Sequence, residues 1–107
     1  MYISPDIMTV QEFIEHHLND SNDDSVVQYV IGADVVNIDG DNFAELVPGD
    51  EDDVFIKNHE LRTQLLKLDQ NLFVVMKHPD NWNEDEYEYV VGTSGGMDDI
   101  NIHCEED

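Results

Sequence analysis

The chain has 107 residues, enough for one domain and too few for two. It carries 26 Asp and Glu against 4 Lys and Arg, and its formal net charge is −22. This charge excludes nucleic acid and anionic membrane surfaces as direct partners, because both would repel the protein. No apolar run approaches the about 18 residues that span a membrane, and the N-terminus lacks the features of a secretory signal. The single cysteine, Cys104, cannot form an internal disulfide, so we expect a cytoplasmic protein.

The first predicted element is a helix over 9–19. Thr9 and Glu12 have the spacing of a capping box, in which each side chain bonds the backbone N–H of the other residue. Val10, Phe13 and Leu18 then fall on one stripe of a helix, which predicts the face that is buried.

Residues 25–48 predict strands. The segments 26–31 and 34–38 flank Gly32-Ala33, where a glycine at the first loop position favours a type II′ hairpin. One long strand kinked at Gly32 is the alternative. The polar segment 39–42 predicts a turn, and 43–47 predicts a further strand.

A second helix is predicted to begin at Asn58, which we interpret as its N-cap. Leu61, Leu65 and Leu68 follow at helical spacing and indicate its buried face. The segment 72–76 is apolar on both faces, which is typical of a central strand.

The C-terminal part predicts a hairpin, in which strands 86–91 and 100–104 are joined across 93–96. Together these elements predict an α+β fold: an antiparallel sheet of five or six strands with two helices packed against it. We expect residues 1–107 to form a single acidic domain.

The charge is divided unevenly along the chain. Residues 1–56 carry a net −14, residues 57–77 a net +2, and residues 78–107 a net −10. Spread evenly over the surface, 22 net charges would stand about 17 Å apart, beyond the Debye length of about 8 Å at physiological salt. Clustering is what makes them act together, since charges within a Debye length sum to a potential that steers basic partners. The acidic clusters are Asp20–Asp24, Asp50–Asp53, Glu84–Glu88, Asp98–Asp99 and Glu105–Asp107.

One cluster has strand alternation. Glu84, Glu86 and Glu88 would form a row on one face of a strand, about 6.8 Å apart. We expect the opposite face of that strand to turn inward with Tyr87, Tyr89 and Val91. Carboxylates at this spacing resemble the anionic ladder of a nucleic-acid strand and would attract the Lys and Arg side chains that bind phosphates.

Selection for solubility or salt adaptation is the alternative explanation for an acidic surface. The net charge lies well outside the magnitude of about 2–8 that keeps a small domain soluble, and it destabilises the fold by self-repulsion. These facts favour a function for the charge.

Enzymatic and metal chemistry find little support in the sequence. Counted as a calcium loop from Asp39, the pattern places Ala44 where glycine is needed and Asp50 where glutamate is needed. No phosphate loop or dinucleotide motif is present. We therefore expect no cofactor, no metal site and no catalytic residues.

The sequence thus predicts a small inhibitor that binds and neutralises a basic nucleic-acid-handling protein by mimicking DNA or RNA. In size, charge and expected fold class it resembles phage antirestriction and anti-CRISPR proteins, uracil-DNA glycosylase inhibitors and nuclease-toxin immunity proteins. An immunity protein that blocks a nuclease toxin at an exosite is one alternative, and a weakly cation-binding or solubility-adapted domain is another. We expect a monomer or homodimer. The predicted partner-binding residues are Asp50, Glu51, Asp52, Asp53, Trp82, Glu84, Asp85, Glu86, Glu88, Asp98, Asp99 and Glu105.

Overall fold

A computed structural model describes residues 7–77, 87–95 and 98–104. Within these ranges the chain has an α+β fold, with six strands in one mixed sheet and two helical segments in the same hydrophobic core. The helical segments are α1 (Val10–Phe13), continued by a π-helical turn (Ile14–Leu18), and α2 (Asn58–Leu65). The strands are β1 (Val26–Val27), β2 (Val30–Ile38), β3 (Asp41–Pro48), β4 (Val74–Lys77), β5 (Tyr87–Ser94) and β6 (Asp99–Cys104).

The first helix has the extent predicted from the sequence. The Glu12 N–H donates to Thr9 Oγ1 and the Thr9 N–H donates to Glu12 Oε1, which confirms the capping box. The second half of the helix is π-helical, a feature that the pattern does not predict. There the Asn19 N–H donates to the carbonyl of Ile14, five residues back, at 2.9 Å.

The type II′ hairpin at Gly32-Ala33 is wrong. β2 runs straight through both residues as one long strand, with a shift of register between Val30 and Gly32. Glycine packs closely on α2 at this point, because a Cβ on Gly32 would lie 3.0 Å from Gln64 Oε1. The same oxygen accepts a hydrogen bond from the Ala33 N–H at 2.8 Å.

The turn between β2 and β3 is shorter than the predicted 39–42. Asp39 and Gly40 alone form it, with φ of 52° and 94°, as a two-residue hairpin of the primed type requires. The predicted strand 43–47 is confirmed as part of β3.

The interpretation of Asn58 as an N-cap is wrong. Lys57 occupies the cap position without a side-chain hydrogen bond, and Asn58 is the first helical residue. Asn58 is fully buried, and its Nδ2 donates to the carbonyls of Leu18, Ser21 and Asn22. The helix ends at Leu65, so Leu68 lies beyond it. Within the described ranges no helix is long and apolar enough to cross a bilayer.

The sheet has the order β1-β6-β5-β4-β3-β2. The β2–β3, β4–β5 and β5–β6 pairs are antiparallel, and the last of them confirms the pairing of the predicted C-terminal hairpin. The predicted connection 93–96 begins too early, because Thr93 and Ser94 still belong to β5. The β1–β6 and β3–β4 pairs are parallel, so the expectation of a purely antiparallel sheet is wrong. β4 lies inside the sheet, with Val74, Val75 and Met76 buried, as expected of a central strand.

The two outer strands, β1 and β2, are neighbours in sequence. In a flat six-stranded sheet they would stand about 24 Å apart. Only Gln28 and Tyr29 separate them, and the three steps from Val27 to Val30 span at most about 11 Å. The sheet must therefore curl until its edges meet. Ile56 bridges this seam: it accepts from the Val27 N–H and donates to the Val30 carbonyl, both at 2.8 Å.

The inner face of the curled sheet carries the core. Leu46, Val74, Val90 and Ile100 pack there in one cluster with the helical side chains, including Phe13. Alternation along β5 places Glu88 on this inner side with Val90, and Tyr87 and Tyr89 on the outer face. The prediction that the tyrosines and Val91 turn toward the core is thus wrong, because the fully buried residue of the strand is Val90.

Candidate protein-binding surface

The acidic loop Asp50–Asp53 follows β3 and carries four exposed carboxylates. It is folded back on itself. The Asp53 N–H donates to the Asp50 carbonyl at 3.0 Å, and Asp53 Oδ2 accepts from the Asp50 N–H at 2.7 Å. These bonds leave Glu51 and Asp52 at the tip of the turn, where both are exposed.

Three large apolar side chains are exposed near this loop. Tyr29 is 43 %, Ile31 41 % and Val54 93 % exposed. The Tyr29 ring packs on that of half-buried Phe55, with centroids 5.2 Å apart. We call the acidic loop together with Tyr29, Ile31 and Val54 the seam surface, because Tyr29 lies where the two edges of the sheet meet.

Gly49 joins the acidic and apolar parts of the seam surface. Its N–H donates to the Tyr29 carbonyl at 2.8 Å. A Cβ at this position would lie 2.5 Å from Ile31 Cγ2 and 3.4 Å from Asp53 Cβ. Ile31 and Asp53 thus approach the same glycine from two sides, and the absence of a side chain there makes the close approach feasible.

Tyr29 has a φ of 62°, in the left-handed region that bulky side chains rarely adopt. The residue forms the corner at which the chain leaves β1 and enters β2. Backbone strain of this kind costs of order 1–3 kcal/mol and clusters at functional sites. Here it coincides with an aromatic ring presented to solvent.

A second acidic cluster forms at the start of β6. The parallel pairing places Asp99 opposite Val26, whose N–H donates to the Asp98 carbonyl at 2.9 Å. The loop that precedes β1 therefore lies beside the start of β6. The exposed members of the cluster are Asp20, Asp23, Asp24, Asp98 and Asp99.

A cleft of about 180 Å³ lies within this second cluster and is lined by Asp20, Asp99, His17 and Thr93, among others. His17 Nδ1 lies 2.9 Å from Thr93 Oγ1. Burial lowers the pKa of His17, and the nearby His16 lowers it further, against a smaller opposite effect of Asp20. The lowered pKa favours the neutral imidazole, so His17 does little to offset the carboxylates.

None of the described cations forms an ion pair with a carboxylate of the acidic loop. Arg62 forms an ion pair with Asp23, the one ion pair within the described part of the chain. Lys77 Nζ lies 5.5 Å from the centroid of the Tyr87 ring. Lys67 follows α2, and Lys57 bridges to Val26 at the seam. The four carboxylates of the acidic loop thus keep their negative charge uncompensated by any ion pair in these ranges.

Glu88 does not belong to an exposed acidic row. It lies on the inner face of β5 and is half-buried, with Oε2 withdrawn from solvent. Burial of the Cys104 thiol is the main reason that its pKa is raised to about 11, and the negative charge of Glu88 raises it further. The exposed position expected for Glu88 is thus wrong, and its role in partner binding stays a prediction.

The remaining predicted residues divide into two groups. Asp98 and Asp99 are exposed and come together with the loop before β1, a proximity that only the parallel β1–β6 pairing creates. Five others lie outside the described residues, namely Trp82, Glu84, Asp85, Glu86 and Glu105.

Sequence reasoning missed Tyr29, Ile31 and Val54. Tyr29 and Ile31 fall in a segment with strand character, where exposure depends on how the two edges of the sheet meet. Val54 carried a weak signal, as an apolar residue directly after four consecutive acidic ones.

Among the described residues, no group of three or more His, Cys, Asp and Glu side chains is arranged to hold a metal ion. Compared with models of known protein families, with curated proteins and with solved structures, the chain matches none of them.

Proposed function

We propose that this protein is a small acidic inhibitor that binds and neutralises a basic nucleic-acid-handling protein in the cytoplasm. It acts by binding, without catalysis of its own. The observation that carries the proposal is the position of Gly49, which directly precedes the acidic loop, bonds the backbone of exposed Tyr29 and lies against Ile31.

The two parts of the seam surface have complementary roles in this proposal. Uncompensated carboxylates accelerate encounter with a basic partner and make binding sensitive to salt. Exposed aromatic and branched side chains supply the buried contacts that slow dissociation. The carboxylates and the exposed apolar side chains are adjacent, so a partner that docks on the seam surface contacts both.

A surface selected for solubility alone explains this arrangement poorly. With 6517 Å² of accessible surface, the protein has about one net negative charge per 300 Å², which is already ample for solubility. Solubility gives no reason to hold Val54 almost fully exposed or to keep Tyr29 in a strained conformation.

Mimicry of nucleic acid remains the leading mechanism because the partner's Lys and Arg, which normally bind phosphates, would meet the carboxylates. The apolar half of the seam surface favours a second candidate, an immunity protein that blocks a nuclease toxin at an exosite. A phosphate backbone has no counterpart to Ile31 or Val54, whereas an exosite does.

The test uses a panel of purified restriction, CRISPR-effector, DNA-repair and nuclease-toxin enzymes, each incubated with the protein at low and at physiological salt. We expect inhibition of at least one enzyme, weakened by salt. Labelled DNA on that enzyme then separates the mechanisms: a mimic displaces the DNA, whereas an exosite blocker leaves it bound. Inhibition of no enzyme in the panel would overturn the proposal.

A further inference from the structure

A second surface, on the outer face of the sheet, has its own chemistry. A cleft of about 160 Å³ lies between the β2–β3 turn and β5. Its walls are Phe43, Tyr87 and Tyr89, and its floor is Val75, which pairs with Tyr89 and is 3 % exposed. The Phe43 and Tyr89 rings meet edge to face, with centroids 6.1 Å apart.

Two carboxylates stand at the mouth of this cleft. Asp39 and Asp41 line it and flank Gly40 of the primed turn, and both are exposed. Neither makes an ion pair within the part of the chain that the structure describes. Aromatic walls and a doubly charged rim thus converge on one small space.

The size of the cleft limits what it can hold. Small-molecule and cofactor sites are larger, commonly about 300–1,000 Å³. The space therefore suits a single side chain of a partner protein.

The lining favours a cation. The faces of aromatic rings attract positive charge, and this molecule already places Lys77 Nζ 5.5 Å from the Tyr87 ring centroid. Lys77 is balanced by half-buried Glu45, whose carboxylate accepts from the Tyr87 hydroxyl at 3.5 Å. The carboxylates of Asp39 and Asp41 remain for a cation that comes from outside.

We propose that this cleft receives an arginine side chain of a partner protein. The proposal rests on the proposed function only in taking that arginine from the basic partner. The guanidinium lies against the aromatic walls and donates to the Asp39 and Asp41 carboxylates. Arginine fits better than lysine because its planar guanidinium stacks on rings and donates several hydrogen bonds in fixed directions.

The test needs no partner protein. ¹⁵N-labelled protein is titrated with the peptide acetyl-Gly-Arg-Gly-amide, and backbone amide shifts are followed by NMR. Peptides with lysine or citrulline in place of arginine are the controls, since citrulline keeps the shape of arginine and lacks its charge. We expect saturable shifts at Phe43, Val75 and Tyr89, with the citrulline peptide binding about tenfold more weakly and the lysine peptide in between.

Variants show whether the arginine peptide binds in this cleft. Asp39→Asn with Asp41→Asn removes the rim charges, and asparagine tolerates the positive φ of residue 39. This double variant should lose most of the binding, as should Tyr89→Leu. The charge-matched control, Glu15→Gln with Glu60→Gln on the helical segments, should retain it.

Equal binding of the arginine and citrulline peptides would overturn the proposal. So would shifts that spread over all acidic loops, or an Asp39→Asn/Asp41→Asn variant that binds as the parent protein does. These failures leave the proposed function standing, because that function is tested through inhibition of the enzyme panel. Conversely, if no enzyme of the panel were inhibited, the result of the peptide titration would still stand.

Discussion

The N–H of Gly49 donates to the carbonyl oxygen of Tyr29 at 2.8 Å, and this bond places the acidic loop against an exposed aromatic residue. The strand pairing nearby reinforces the arrangement, since Val30, the first residue of β2, pairs with Pro48, the last residue of β3. A rigid backbone therefore holds both halves of the seam surface, which reduces the entropy lost when a partner binds.

Gly49→Ala should destabilise the protein. The added methyl would lie 2.5 Å from Ile31 Cγ2, closer than real contacts allow, and overpacking of this kind costs about 1–3 kcal/mol. Urea unfolding measures the loss. Ile31→Ala removes the clashing methyl, so the double variant should be more stable than the two single effects predict.

Gly92→Ala is the matched control for that experiment. The nearest atom to its added methyl is His17 Cε1 at 3.8 Å, an ordinary contact. We expect a change within about 0.5 kcal/mol. Equal losses at the two glycines would contradict the close packing described at Gly49.

Two substitutions of Tyr29 separate backbone strain from side-chain contact. Both Tyr29→Asn and Tyr29→Val remove the ring from Phe55, but asparagine accepts a φ of 62° whereas β-branched valine does not. The asparagine variant should be the more stable by about 1 kcal/mol in urea unfolding. Both should weaken binding to the inhibited enzyme, because both remove the exposed anchor. If the valine variant were as stable as the asparagine variant, or more stable, the backbone of residue 29 would not be in the left-handed region.

Asn58→Ser tests the position of this residue in α2. Serine is a good N-cap, so the substitution would be harmless if Asn58 capped the helix. In the structure it removes the Nδ2 group that bonds Leu18, Ser21 and Asn22 in a fully buried site. We expect a loss of about 1–3 kcal/mol. Lys57→Ser, at the actual cap position, should instead stabilise the protein by about 0.5–1 kcal/mol, measured in the same urea series.

The Cys104 thiol should be slow to react at neutral pH. Burial, and secondly the charge of Glu88, raise its pKa from 9.0 to about 11. Because the pKa is higher in the folded state, the thiol's contribution to stability is complete below pH 9 and is lost as pH rises toward 11. The pH dependence of alkylation by iodoacetamide reports this pKa directly, since the thiolate is the reacting form.

Glu88→Gln should lower that pKa and speed alkylation at a given pH. Glu60→Gln, an exposed position on α2, serves as the control and should leave the profile unchanged. An unchanged profile for Glu88→Gln would place this carboxylate away from Cys104 and restore it to an outward-facing row.

Local patterns predicted the parts of the fold that depend on neighbours in sequence. Thr9 and Glu12 lie within one helical turn, so their capping box could be recognised without tertiary information. Gly32 could not be assigned in the same way, because a glycine serves equally in a turn and at a close approach. The side chain that decides the matter, Gln64, lies 32 residues away.

The candidate site was predicted only where charge alone defines it. The exposure of Asp50–Asp53 followed from their polarity. The alternation along β5 was correct, but its direction was inverted, because the sequence did not show which face the helices cover. The proximity of Asp98 to the loop before β1 depends on a parallel pairing between distant segments, which no local signal encodes.

The central claim is that the seam surface is where a basic nucleic-acid enzyme binds. It is tested most directly by measuring the affinity of the inhibited enzyme for two charge-matched variants, Glu51→Gln/Asp52→Asn in the acidic loop and Glu15→Gln/Glu60→Gln on the helices. We predict about tenfold weaker binding for the loop variant at low salt, a difference that shrinks as salt increases, and no change beyond about twofold for the helix variant. Equal affinities of the two variants at every salt concentration would contradict the claim.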